Sequence, residues 1–141
     1  MSKSYISAKL RKLVSDRAKN CCEYCLIPES LTLASHQVDH VIAEKHGGKT
    51  SEENLALSCS LCNQAKGSDI ASIDSETGDV IRLYHPRQDQ WRENFQIEEF
   101  NGVICPLTTI GRMTIQLLKI NRASCLPYRQ MLAQAKTLMQ K

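Results

Sequence analysis

The chain has 141 residues, of which 42% are hydrophobic, 23% charged and only 5% aromatic. That is enough for one ordinary domain, 1–141, with a core expected to rest on Leu, Ile and Val. No apolar run approaches the roughly 18 residues that cross a bilayer. Lys9, Arg11, Lys12, Arg17 and Lys19 also deny the first segment the apolar centre of a secretion signal. A cytoplasmic protein with no membrane partner is expected. The net charge of +3 is unevenly spread: residues 1–19 carry +5, residues 20–107 carry −8 and residues 108–141 carry +6. An acidic middle between basic ends suits a metal-binding centre flanked by elements that grip phosphates, although solvated helix faces would look the same.

In chain order, Ile6, Leu10, Leu13, Val14 and Arg17 recur at helical spacing, so Ile6 to Lys19 reads as an amphipathic basic helix within residues 1–20, capped by Ser4 or Ser7. A cysteine-rich turn follows at Cys21–Cys25. Leu31 to Ile42 reads as a strand running toward a turn at Gly47-Gly48, and Asn54 to Ser58 as the returning strand. Cys59 to Cys62 leads into a short helix near Asn63 to Ile70. Beyond this 21–72 core, the turn cluster at residues 74–78 precedes a strand at Val80 to Tyr84. Phe95–Phe100 and Val103–Cys105 flank Asn101-Gly102, the signal of a type I′ hairpin. Two helices close the 73–141 region: Thr109 to Asn121, then one opening at Pro127. In the second, Tyr128, Met131, Leu132, Ala135, Leu138 and Met139 form an apolar stripe read as core.

Seven cysteines is an odd number for a disulfide framework. Cys22-x2-Cys25 and Cys59-x2-Cys62 are separated by 33 residues, and each tight turn can bring two thiolates to adjacent vertices of one tetrahedral ion. Four sulfur ligands leave no open position, so this is expected to be a structural zinc site; two disulfides or free buried thiols are the alternatives. Cys21 would give the wrong spacing, and Cys105 and Cys125 read as buried filler. The 33-residue gap is long for a compact finger, so something must be folded between the pairs.

Within that gap lie Val38-Asp39-His40-Val41-Ile42, Gly47-Gly48 and Glu53-Asn54-Leu55, and Asn63 and Lys66-Gly67 follow the second pair. In order and spacing this stretch, residues 20–70, resembles the HNH endonucleases, in the variant with Asn in place of the last His. The resemblance implies an α+β fold with a ββα-metal (His-Me finger) core, flanked here by the N-terminal helix, a β-hairpin extension and two C-terminal helices. It implies Asp39 and Asn63 as ligands of a catalytic divalent ion, Mg²⁺ or Mn²⁺, and His40 as general base. Asn54 would orient the His40 loop by bonding to backbone. Because adjacent strand residues face opposite ways, the strand must end or bulge at Asp39-His40. Where many HNH proteins have proline after Asp-His, this chain has Ala43-Glu44-Lys45, and Glu44 either adds charge near the metal or faces solvent.

The Tyr84-His85-Pro86-Arg87-Gln88-Asp89-x-Trp91 segment is similar to an extension of bacterial, notably cyanobacterial, HNH proteins. Arg87 reads as a phosphate or loop contact and Trp91 as a core anchor. His36 is a phosphate contact or a surface histidine, and His46 a loop residue. Lys9, Lys12, Lys66 and Arg112, with Arg11, Lys119, Arg122 and Arg129, are candidate grips on the nucleic-acid backbone, which carry affinity without base readout. The expectation is a DNA endonuclease of weak specificity; the alternatives are an RNase and a non-catalytic zinc module that binds nucleic acid.

Overall fold

In the computed structural model, which describes residues 5–135, helices alternate with three two-stranded antiparallel sheets. Helix α1 (Ala8–Arg17) starts where the Ser7 hydroxyl accepts the amide of Leu10 at 3.1 Å. Ser7 is therefore a cap that the sequence offers; Ser4 lies outside the described residues. Val14 and Ala18, with Ile6 before the helix, pack on Val38, Leu55 and Leu57. Those three belong to β1 (Gln37–His40) and β2 (Leu55–Ser58), paired from Gln37↔Ser58 to His40↔Leu55. Helix α2 (Ser60–Lys66) follows β2 at once. The Cys59 sulfur caps it by accepting the Cys62 amide at 3.4 Å, and Gly67, at φ +53°, ends it. The helix so begins and ends earlier than the expected Asn63 to Ile70.

The expected long strand from Leu31 is only four residues, because a 3-10 turn at Glu29–Leu31 precedes an irregular stretch up to β1. A strand missed by the sequence reading, β3 (Ala71–Ile73), pairs with β4 (Val80–Arg82) across the predicted 74–78 turn. Next come α3 (Trp91–Asn94), β5 (Phe95–Ile97) and β6 (Ile104–Pro106), with Phe95↔Pro106 to Ile97↔Ile104 in register. The connection is not the type I′ turn expected. Glu98 N bonds to Val103 O at 2.8 Å and Gly102 N to Glu98 O at 2.8 Å, while only Gly102 takes positive φ, +75°. A type I′ turn needs both central residues there.

Helices α4 (Thr109–Leu118) and α5 (Leu126–Gln134) complete the fold, with Pro127 in the first turn of α5. One apolar cluster joins the four paired cysteines to Tyr24, Leu26, Tyr84, Trp91, Phe95, Ile104, Leu118 and Ile120. Leu, Ile and Val are the largest group among the buried hydrophobic side chains, as expected, and Tyr24, Tyr84, Trp91 and Phe95 join them in this cluster. Tyr84 and Phe95 meet edge-on at 5.1 Å, and Trp91 and Phe95 lie tilted against each other at 5.1 Å. The Trp91 indole donates to the Tyr24 carbonyl at 3.1 Å, which pins the extension to the cysteine turn.

Helix α5 corrects the sequence reading. Tyr128 and Met131 of its stripe are exposed, and Leu138 and Met139 lie outside the described residues. The buried face carries Arg129, fully enclosed, whose guanidinium donates to the carbonyls of Gly102, Cys25 and Ile120 and to Asn121 Oδ1 at 2.5 to 3.2 Å. Four acceptors that share one cation outweigh the gain from burying a tyrosine and a methionine. Gly102 admits this helix, since a Cβ there would lie 2.5 Å from the Gln130 nitrogen. Arg129→Met is expected to lower stability by roughly 3 kcal/mol or more, because the Gly102, Cys25 and Ile120 carbonyls lose their donor while Asn121 Oδ1 keeps only the Ile104 amide. Urea unfolding checks this; a loss under about 1 kcal/mol would contradict it.

Candidate active site and metal centre

The four sulfurs of Cys22, Cys25, Cys59 and Cys62 lie within 4.8 Å of one another in buried surroundings. Cys25 and Cys59 are 3.7 Å apart, too far for a disulfide at about 2.05 Å. Bonds of about 2.3 Å to one tetrahedral ion would place sulfurs about 3.8 Å apart. The set could therefore hold a metal ion such as zinc. Its chemistry also asks for a cation: hydrogen bonding to Cys22 and the other sulfurs, together with burial, pushes the Cys25 thiol well up. Such sulfurs cannot all ionise without a counter-charge. The Arg122 guanidinium, which the sequence offered to phosphate, lies 3.8 Å from Cys62 Sγ and 3.9 Å from Cys125 Sγ.

Strand β1 stops at His40, where Val41 N bonds to Asn54 O at 2.8 Å, and the chain turns away. Asp39 and His40 consequently line one cleft of about 240 Å³, with Asn63, Ala43, Glu44, Gly67 and Ser68. Asp39 is buried and its Oδ2 accepts from the Tyr24 hydroxyl at 3.0 Å. Burial, then the adjacent Asp39, pushes the Tyr24 phenol well up, so it stays a donor. The His40 ring meets Thr50 Oγ1 through Nε2 at 2.8 Å, with a Glu44 carboxylate oxygen 3.8 Å from the same nitrogen. Asn63, one turn into α2, donates its side-chain amide to Gln37 Oε1.

Asn54 makes three side-chain bonds to backbone, all at 2.9 Å. Its Oδ1 accepts from Ile42 N, and its Nδ2 donates to Ile42 O and Lys49 O. This ties both ends of the loop after His40. Gly48 is needed for the approach: a Cβ there would sit 1.6 Å from Ile42 O and 2.8 Å from Asn54 Nδ2.

Several expected phosphate contacts are held elsewhere. Lys66 is 2% exposed; its ammonium lies 3.2 Å from Asp39 Oδ2 and donates to the Val41 carbonyl at 3.0 Å. Arg87 pairs with Glu23, whose other oxygen accepts from Leu57 N at 2.8 Å, so the extension clasps the cysteine turn. His36 is buried with Nε2 on Ile27 O at 2.9 Å, and Arg112 bridges Asp74 and Glu76, each at 2.9 Å. In each, an internal partner takes the donor that was assigned to phosphate. Lys9, Lys12 and His46 are exposed, Lys12 paired with Asp16 at 2.7 Å. Sequence reasoning did not single out Gln37, Thr50 or Tyr24, which carry no motif; only their contacts distinguish them.

Lys66→Met would leave the Asp39 carboxylate buried without its cation. The expected loss is about 3 kcal/mol or more, read from denaturant unfolding of the metal-loaded protein. An unchanged midpoint would show that the pair is neutral to the fold.

Residues 22–69 match the family model for HNH endonuclease. Over 62 residues the chain is 37% identical to the CRISPR-associated endonuclease Cas9 of Corynebacterium diphtheriae, a match that covers 43% of this chain and 6% of that relative's length. No solved structure matches. No helix among the described residues is long and apolar enough to cross a membrane. Residues 22–69 are an HNH endonuclease domain, and Asp39, His40 and Asn63, which share one cleft, all fall inside it.

Proposed function

We propose that this protein hydrolyses phosphodiester bonds of DNA with one divalent ion, Mg²⁺ or Mn²⁺, held by Asp39 and Asn63, and with His40 as general base. The observation that carries this reading is the shared cleft: a carboxylate, an imidazole and an amide line one opening at the end of β1. The order β1, β2, α2 supports a ββα-metal finger. The HNH match and the endonuclease named as its relative support a nucleic-acid substrate.

His40 takes the proton of the attacking water, a task that a positioned imidazole performs in general base catalysis. Thr50, and Glu44 beyond hydrogen-bond range, set the ring from one side. Asn54 holds the loop that returns past the ring, so the imidazole keeps its place as substrate enters. Tyr24 and Lys66 anchor one Asp39 oxygen and fix the carboxylate at the cleft. A bound divalent ion supplies charge to offset that growing on the phosphoryl and leaving oxygens. Carboxylate and amide oxygens are the donors a hard ion takes. Zinc on Cys22, Cys25, Cys59 and Cys62 holds the base of the finger, which a reducing cytoplasm permits. Exposed Lys9 and Lys12 give backbone contacts that favour no sequence, so cutting is weakly specific.

The test is nicking of supercoiled plasmid by the zinc-loaded chain. Open circles should form with Mg²⁺ or Mn²⁺ and stop when the ion is withdrawn. Binding without cutting under every divalent ion would instead favour a non-catalytic module, and cutting of RNA alone would reassign the substrate.

A further inference from the structure

An asparagine amide can present a cation with either of two nearly isosteric atoms, and only the oxygen is attractive. Asn63 is therefore a better ligand when something keeps its NH₂ turned away from the ion. Strand periodicity puts Gln37 and Asp39 on one face of β1, while Val38 between them enters the apolar cluster with α1. That polar face meets α2 in two rungs. Gln37 pairs with Asn63, and Asp39 pairs with Lys66 one helical turn later. In the first rung the Asn63 Nδ2 is the donor and Gln37 Oε1 the acceptor, which leaves Oδ1 as the atom that Asn63 offers to the cleft it lines.

We infer that Gln37 is a positioning residue that selects the metal-binding face of the Asn63 amide. The inference rests on the reading of Asn63 as a ligand. Gln37 itself lies at the exposed end of β1 and lines no part of the cleft, so it acts through Asn63. Two such rungs, Gln37 to Asn63 and Asp39 to Lys66, tie both proposed ligands to the same β1–α2 spacing. A shift of either element would move them together.

The discriminating substitution is Gln37→Met, which keeps the length and removes the acceptor. It is made in the zinc-loaded full chain and again in an Asn63→Asp background, where a carboxylate presents oxygen whichever way it turns. Mn²⁺ affinity is read from the free-ion electron spin resonance signal, and the Asn63 side-chain amide is followed by its nitrogen-15 resonance. With Asn63 present, Gln37→Met should weaken Mn²⁺ binding roughly three- to tenfold, the range of one hydrogen bond, and shift that amide signal. In the Asn63→Asp background, the same change should alter affinity less than about twofold. Unchanged affinity in the Asn63 protein, or an equal loss in both backgrounds, overturns the inference. Asn63→Ala tells the two failures apart. If it abolishes Mn²⁺ binding while Gln37→Met does nothing, only the positioning role falls; if it leaves Mn²⁺ binding intact, the ligand assignment falls and takes the positioning role with it.

Discussion

His40→Ala is expected to lower the rate of plasmid nicking by about 10² to 10⁴, the range that a positioned general base contributes. The loss should fall on turnover rather than on DNA binding, because His40 is 3% exposed at the end of β1 and offers DNA little surface. Zinc content should be unchanged and the unfolding midpoint should fall only modestly, since the ring gives up its Thr50 hydrogen bond while the strand pairing at His40↔Leu55 is made by backbone. Added imidazole should restore part of the rate in His40→Gly by entering the vacated space as a base. A His40→Ala protein that nicks at the wild-type rate would remove the imidazole from the chemistry. One that loses zinc or unfolds would make its role structural.

Removal of the sulfur-bound ion should be the largest stability effect. Structural zinc in small domains is worth about 10–16 kcal/mol at neutral pH, as much as or more than a whole domain's margin of about 5–15 kcal/mol. The four sulfurs lie in the same apolar cluster as Trp91, Phe95 and Leu118, so loss of the ion should unfold the extension with the finger. Chelation, or Cys59→Ser, is expected to abolish cooperative unfolding. Binding must displace thiol protons, and the neighbouring sulfurs together with burial push the Cys25 and Cys62 thiols up. Affinity should accordingly fall as pH falls. Less than about half a zinc per chain in a protein that still unfolds cooperatively would contradict the assignment.

Where chemistry imposes spacing, the fold could be read along the chain. Two cysteines per turn, Asp-His at a strand end and an asparagine before the return strand are local patterns, and the cleft and the sulfur cluster appear where those patterns put them. The strand-end requirement at Asp39-His40 is itself a stereochemical deduction, and β1 does stop at His40. What sequence could not supply was the partner of each charge. Lys66 and Arg87 look like phosphate contacts until the fold brings Asp39 and Glu23 to them. Arg129 looks exposed until four acceptors from three separate segments enclose it. The apolar stripe of α5 points to the wrong face as the buried one, because tertiary hydrogen bonding turns the helix the other way. Gln37 and Thr50 are the same lesson at the cleft, two polar residues with no pattern that become informative only through Asn63 and His40.

The convergence of Asp39 and Asn63 on one cation, beside His40, is tested most directly by counting Mn²⁺ ions on the zinc-loaded protein. One Mn²⁺ per chain is expected in wild type, with binding lost in Asn63→Ala and in Asp39→Ala made together with Lys66→Met, so that no buried charge is left unpaired, while zinc is kept. An Mn²⁺ ion that binds equally well without either side chain, or no Mn²⁺ binding at all, would contradict it.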